Sequence, residues 1–327
     1  MRAIRRILVA VKDPDAKSLP AVAKGAQLAR ALDAELELFH GISTPLYVDA
    51  YVVDERLPDT EHAMRTGRLR RMESIAAKLR KTGLRVRASV TWDFPTYEAI
   101  VRCANRMGAD LIVAERHAGR HILPGMLQLT DWELLRVSPV PVLLVKKNRP
   151  YRSPAVLAAV DPAHTLAKPA QLDRQILELA SSVARALRGA LHAVHAYAPY
   201  PADASDGYLL TSRALHTVLA QRKRTAQRNF VRELRAFDVS AARRHLVARH
   251  PIDAIEQTAR SIGSDIVVMG AISRSGFKRF IFGNTAEALL DSLPCDLLIV
   301  KPQGIAPRIQ AASRGVRFLM TPQLPAM

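Results

Sequence analysis

The residues best suited to chemistry lie in one stretch, Met269-Gly270-Ala271-Ile272-Ser273-Arg274-Ser275-Gly276, closed further on by Gly283-Asn284-Thr285. The stretch leaves the apolar run Asp265-Ile266-Val267-Val268-Met269, which reads as a buried strand, and leads into a segment of helical length. A strand-to-helix loop rich in glycine and small polar residues exposes backbone N–H groups, and the next helix N-terminus adds partial positive charge. That chemistry suits a phosphate. Gly270 and Gly283 permit close backbone approach, the amides of Ser273, Arg274, Ser275 and Gly276 line the loop, and the Ser273, Ser275, Asn284 and Thr285 side chains offer hydrogen bonds. The plainer reading is an ordinary loop with Asn284 or Thr285 capping the helix. It is no Walker loop, because G-x-x-x-x-G-K-[ST] occurs nowhere in the chain.

Other candidates carry less. No G-x-S-x-G elbow fixes a nucleophile, so no catalytic residue is assigned. His192 and His195, three apart on a strand, point to opposite faces and cannot share a metal. His117 and His121 are interrupted by Gly119 in a loop, Cys103 and Cys295 have no C-x-x-C partner, and no metal site follows. Asp161, after the apolar run Val156-Leu157-Ala158-Ala159-Val160, reads by itself as a turn or cap residue.

The elements that must position the loop show themselves as a repeat. Asp110-Leu111-Ile112-Val113-Ala114, a helix-length segment, and Ser138-Pro139-Val140-Pro141-Val142-Leu143-Leu144-Val145-Lys146 recur as Asp265 to Met269 and Leu293-Pro294-Cys295-Asp296-Leu297-Leu298-Ile299-Val300-Lys301. Gly108 pairs with Gly263 and Ala99 with Ala254 without a gap. Ile7 to Val11 matches Val156 to Val160, and Leu36 to His40 matches Leu191 to His195, so each module has about 145 residues. Each reads as five strands alternating with helices, the continuous apolar strands predicting a parallel sheet covered on both faces. The fold class expected is therefore α/β: two tandem open, mostly parallel five-stranded sheets flanked by helices, Rossmann-like, with ligands at the carboxyl ends of the strands. The charged, proline-bearing stretch Lys147 to Pro154 sets the boundaries at 1–150, 151–303 and a tail at 304–327, read as flexible or as an arm on the surface.

Composition narrows the class. Of 327 residues 49% are apolar and 24% charged, an ordinary balance for a folded protein. The longest apolar runs are strand-sized, excluding a helical membrane span, and the start lacks a signal-peptide core, so a cytoplasmic location is expected. The two cysteines read as reduced and buried. The net charge of +18 concentrates in Arg65–Arg87 and Arg222–Arg249. In the first of these, Leu69, Met72, Ile75 and Leu79 mark the inner stripe of an amphipathic helix, so the charge reads as solvated helix faces. Scarce aromatics and the absence of a recognised motif argue against nucleic acid as a partner.

The second module resembles the universal stress protein family, in which a strand is followed by G-x-x-G-x(9)-G-[ST]. Gly270 and Gly283 take the first and last glycine positions, nine residues separate Ser273 from Gly283, and Asp161 ends the first strand. Ser273 stands where the middle glycine belongs and Asn284 where Ser or Thr follows; a serine forced to positive φ there costs about 1 kcal/mol. The helix starts Thr130-Asp131-Trp132-Glu133 and Gly283-Asn284-Thr285-Ala286-Glu287 are similar to those of the family's tandem members, over residues 4 to 302.

The resemblance implies an adenine nucleotide alpha hydrolase-like fold and a non-catalytic cytoplasmic protein that supports survival under stress, including DNA damage. It implies ATP, with its Mg, or another adenine nucleotide, bound by Asp161, Gly270, Ser273 to Gly276, Gly283, Asn284 and Thr285. It also implies that the modules pair through their last strands as a pseudo-dimer, and that the tandem unit can form a homo-oligomer. In the first module Glu115, Ala118 and Gln128 replace the three glycines, and Lys12 replaces the aspartate with Asp13 one residue late, so no nucleotide is expected there. The alternative is a scaffold holding an apolar or acyl ligand, or docking an acidic partner on its basic faces.

Overall fold

The computed structural model describes residues 3–48, 57–116, 130–162, 171–198, 212–271, 289–290, 292–302, 309–316 and 318–320. Two compact units result, one built from the described residues within 3–150 together with those within 309–320, the other from those within 151–302.

In the first unit the chain runs β1 (Arg6–Ala10), α1 (Pro20–Leu32), β2 (Glu35–Ile42), β3 (Leu46–Val48), α2 (Leu57–Arg80), β4 (Val86–Trp92), α3 (Thr96–Met107), β5 (Leu111–Glu115), α4 (Thr130–Val137) and β6 (Val142–Val145). Five strands form a parallel sheet in the order β4-β2-β1-β5-β6, with Ile7 opposite Leu36 on one side and Leu111 on the other. Ile7, Leu8, Val9, Leu111, Ile112 and Val113 are fully buried, as continuous apolar strands must be when helices cover both faces. On α2 the inner face is built by Met72 and Ala76, one turn apart, while Leu69 is 38% exposed. Of the expected stripe, Met72 is buried, Ile75 and Leu79 are half-buried, and the first member faces out.

The second unit repeats the plan with β7 (Ala155–Ala159), α5 (Leu172–Ala186), β8 (Ala190–Ala196), α6 (Ser212–Glu233), β9 (Arg244–Val247), α7 (Pro251–Ser261), β10 (Ile266–Gly270) and β11 (Asp296–Val300). Its parallel sheet has the order β9-β8-β7-β10-β11. Helix α5 buries Leu172, Ile176, Leu179, Ala180 and Val183, an i, i+4, i+7, i+8, i+11 face.

The repeat extends to individual hydrogen bonds. Gly108 and Gly263 end α3 and α7 at φ of 63° and 60°, left-handed values that let the next N–H turn back onto the helix, Ala109 to Ala104 and Ser264 to Ala259, both at 2.8 Å. Asp110 accepts the N–H groups of Arg5 and Arg6 at 2.9 and 3.0 Å, and Asp265 that of Ala155 at 3.1 Å. In each module this carboxylate ties the fourth strand of the plan to the first. Tyr151 is buried within the second unit and donates its hydroxyl to Asp296 at 2.5 Å.

The tail returns to the first unit. The short strand β12 (Phe318–Met320) pairs in parallel with β3. Four residues before it, Arg314 donates its backbone N–H to Asp93 at 2.9 Å and its guanidinium to both oxygens of Glu98 at 3.2 and 2.7 Å. Arg102 completes the cluster. It reaches Asp93 at 2.9 and 2.5 Å, Glu98 at 3.0 Å and the Gln310 carbonyl at 3.0 Å. Asp93 and Glu98 are only 1% and 4% exposed, so both carboxylates are buried against guanidinium groups, one of which belongs to the tail.

Candidate functional site

An open parallel sheet leaves a crevice where strand order reverses, at the carboxyl ends of the strands on either side. Those strands are β1 and β5 in the first module, and β7 and β10 in the second. Asp161 stands just beyond β7, half-buried, its N–H donated at 3.1 Å to the buried Asp173 in the first turn of α5. Gly270 ends β10, which pairs with β7 in a register that sets Val268 opposite Ala158. The structure thus brings Asp161 and Gly270 to adjacent strand ends. Ser273, Arg274, Ser275, Gly276, Gly283, Asn284 and Thr285 lie outside the described residues, as do His117, Ala118, His121 and Gln128.

Gly270 has a packing reason of its own. A Cβ there would sit 2.7 Å from Leu172 Cδ2 and 3.3 Å from Ile176 Cδ1, so the absence of a side chain lets α5 lie against the strand end. Residue type alone does not separate this role from ligand approach.

The first module solves the same corner differently. Glu115 ends β5, and its Oε1 accepts the N–H of Ala21 at 3.2 Å, in the first turn of α1. Helix α1 has no acidic residue in that turn, whereas α5 carries Asp173. Glu115 therefore brings a carboxylate to the helix end from the neighbouring strand, satisfying an N–H with no intrahelical partner. Lys12 lines a cavity of about 250 Å³ with Glu115, Asp131, Ser43 and Thr96 over an apolar floor that includes Phe39 and Leu134. Asp13 turns towards α2 instead, 3.9 Å from Arg68, and accepts the Asp15 N–H at 3.0 Å.

Sequence reasoning passed over the histidines beneath these crevices. His40 Nδ1 meets the Val11 carbonyl at 2.8 Å, and His195 Nδ1 meets the Val160 carbonyl at 3.3 Å. Since a carbonyl only accepts, each Nδ1 carries the proton, and each ring fixes the residue preceding Lys12 or Asp161. Their matching place, closing Leu36 to His40 and Leu191 to His195, was the available signal. His192 and His195 do diverge: His195 packs on Phe230, ring centres 5.8 Å apart, while His192 stacks on His245 with nitrogens 3.1 Å apart. The His192 partner is thus on the neighbouring strand.

Burial lowers the pKa of His40, His192 and His245 from the ordinary 6.5, with the neighbouring ring and Arg243 adding to the effect at His192. A histidine that resists protonation when folded makes the unfolded chain the better proton acceptor. The resulting stability is full above pH about 6.5 and declines as pH falls below it. The urea midpoint is expected to be lower at pH 5.5 than at pH 7.5, and to lose part of that difference in His245→Gln; a pH-independent midpoint would contradict this. Cys103, its thiol pushed up to about 12 first by burial and then by Glu37, is not a nucleophile. Among the described residues no cluster of three or more His, Cys, Asp or Glu could hold a metal, and no helix is long and apolar enough to cross a membrane.

The sequence pattern of the universal stress protein family matches residues 3–146 and again 156–301. The chain is 27% identical over 305 residues to universal stress protein E of Escherichia coli K12, covering 90% of this chain and 93% of that one. It is also 27% identical over 325 residues to universal stress protein E of Photorhabdus laumondii, covering 93% and 98%. A crystal structure of a universal stress protein from Pseudomonas aeruginosa, described as putative, superposes with a TM-score of 0.68 at 26% identity, over 92% of this chain and 94% of that one. One from Archaeoglobus fulgidus shares the fold at 16% identity, with a TM-score of 0.59 over 91% and 97%. With both halves matched and the tandem relatives aligned almost end to end, this chain belongs to the universal stress protein family.

Proposed function

We propose that this chain is a non-catalytic cytoplasmic stress-response protein whose second module binds an adenine nucleotide, ATP with its Mg, in the crevice between β7 and β10. The observation that carries the reading is the placement of Asp161 and Gly270 on adjacent strand ends at the order reversal. The carboxylate takes the adenine side. Gly283, Asn284, Thr285 and the amides of Ser273 to Gly276 take the phosphates, an environment of backbone donors that suits anions. The first module takes no nucleotide, because Glu115 places a negative charge where a phosphate would approach and already accepts the Ala21 N–H.

Isothermal titration with ATP and Mg is expected to give one site per chain. Asp161→Ala and Gly283→Trp should each weaken it at least about tenfold, about 1.4 kcal/mol. Absence of heat at millimolar ATP, or affinity unchanged in both variants, overturns the proposal. Phosphate release should stay at background, consistent with a binding rather than a hydrolytic role. Loss of the protein should sensitise cells to a DNA-damaging agent.

A further inference from the structure

The positive charge of the chain is not used alike on its two long helices. On α2, Arg68 pairs with Asp15, Arg71 lies 3.4 Å from Asp15, and Arg80 lies 2.9 Å from Glu73. On α6 and the 3₁₀ turn that continues it, Leu234–Ala236, the residues Arg224, Arg228, Arg232 and Arg235 are exposed, and none makes an ion pair with a described residue. Arg228 and Arg232 instead donate to Thr225 Oγ1 at 3.4 Å and Asn229 Oδ1 at 3.0 Å, neutral oxygens that leave the charge intact.

The other side of α6 is anchored. Ala226, Phe230 and Leu234 are buried at i, i+4, i+8. At about 100° per residue the four arginines occupy an arc of about 80°, with the buried set centred about 160° away, so the row faces water on a fixed support. Successive members one turn apart are about 6 Å apart along the axis, and the row spans about 16 Å. That length covers about five phosphates of one strand measured along a duplex. The arginines, with Gln221, Gln227 and Val231, line a shallow groove of about 720 Å³ with no carboxylate among the described residues that line it.

We infer that this face of α6 docks the phosphate backbone of a nucleic-acid strand without reading its bases. The regular spacing of the row matches a periodic anion better than the scattered carboxylates of a protein surface. A membrane surface would require an apolar wedge beside the charges, and the exposed large apolar residues described, Met64 and Leu69, are both on α2. The scarcity of aromatics and of base-reading motifs bears on sequence recognition, and neither affects contact with the backbone.

The test uses the full chain and a fluorescent mixed-sequence strand of about 30 nucleotides, single or duplexed, in a salt titration followed by anisotropy. The wild type should bind at about 50 mM salt with log K falling linearly in log salt. The combined Arg224→Gln, Arg228→Gln, Arg232→Gln, Arg235→Gln variant should show a slope on single strands shallower by about 3, so the wild type loses about 50-fold more affinity than the variant between about 50 and 200 mM. The corresponding Lys variant should retain most of the binding, and Arg68→Gln with Arg71→Gln should change it less than about twofold. No binding at low salt, an unchanged slope in the Gln variant, an equal loss in the α2 variant, or binding confined to polyphosphate or anionic vesicles overturns the inference. A matching thermal melt of the Gln variant establishes that it is folded, and the Lys variant carries the comparison if it is not.

Discussion

Arg102→Ala is expected to destabilise the first module by about 3–5 kcal/mol, the usual consequence of removing one partner from a buried ionic cluster. Its side chain is 10% exposed and serves Asp93, Glu98 and the Gln310 carbonyl at once, so alanine takes from the buried Asp93 its guanidinium partner and leaves Glu98 with Arg314. Arg314 cannot replace it, because its own guanidinium is already spent on Glu98 and it meets Asp93 through the backbone. The measurement is convenient, since the chain has only two tryptophans, Trp92 and Trp132, both in the first module. Urea unfolding followed by their emission reads that module, and a loss below about 1 kcal/mol would show the cluster to be dispensable. Arg314→Ala should cost less, its side chain being 49% exposed, but should expose the chain after Pro302 to limited proteolysis.

Tyr151→Phe should cost the second module about 1.5–3 kcal/mol, the value of a hydrogen bond to a charged acceptor. The ring stays and only the hydroxyl goes, so packing is preserved while the fully buried Asp296 loses its 2.5 Å donor. Burial first, then the Asp296 charge, raises the Tyr151 pKa well above 10, which keeps the proton in place as donor throughout the physiological range. Hydrogen exchange of β7, β10 and β11 is the suitable readout, with the tryptophan-detected midpoint of the first module unchanged. Exchange indistinguishable from wild type would remove Tyr151 from the account of stability.

The duplicated plan was legible because strand runs, helix-ending glycines and strand-tying aspartates are local signals that recur: Gly108 with Gly263, and Asp110 with Asp265. The candidate site was legible where it rests on strand ends, as for Asp161 and Gly270. Roles set by distant partners could not be read. The need for glycine at 270 depends on Leu172 across the sheet, and the role of Glu115 depends on Ala21, 94 residues earlier. The two basic stretches look alike as text, and the approach of Asp15 to Arg68, 53 residues away, helps to distinguish a partly paired helix from the unpaired row on α6. Leu69 was misplaced for a related reason, since the turn of α2 on its sheet is fixed by Met72 and Ala76.

The return of the tail has a consequence for how the protein is made. Glu98 and Arg314 are 216 residues apart, which at about 5–20 residues per second is about 10–40 s of translation. During that interval the first module has emerged from the ribosome with its Arg102 cluster one guanidinium short and β3 without its partner strand. The module translated first is therefore among the last parts of the molecule to be completed, and a truncated or stalled product carries that incompleteness at its amino-terminal half rather than at its broken end.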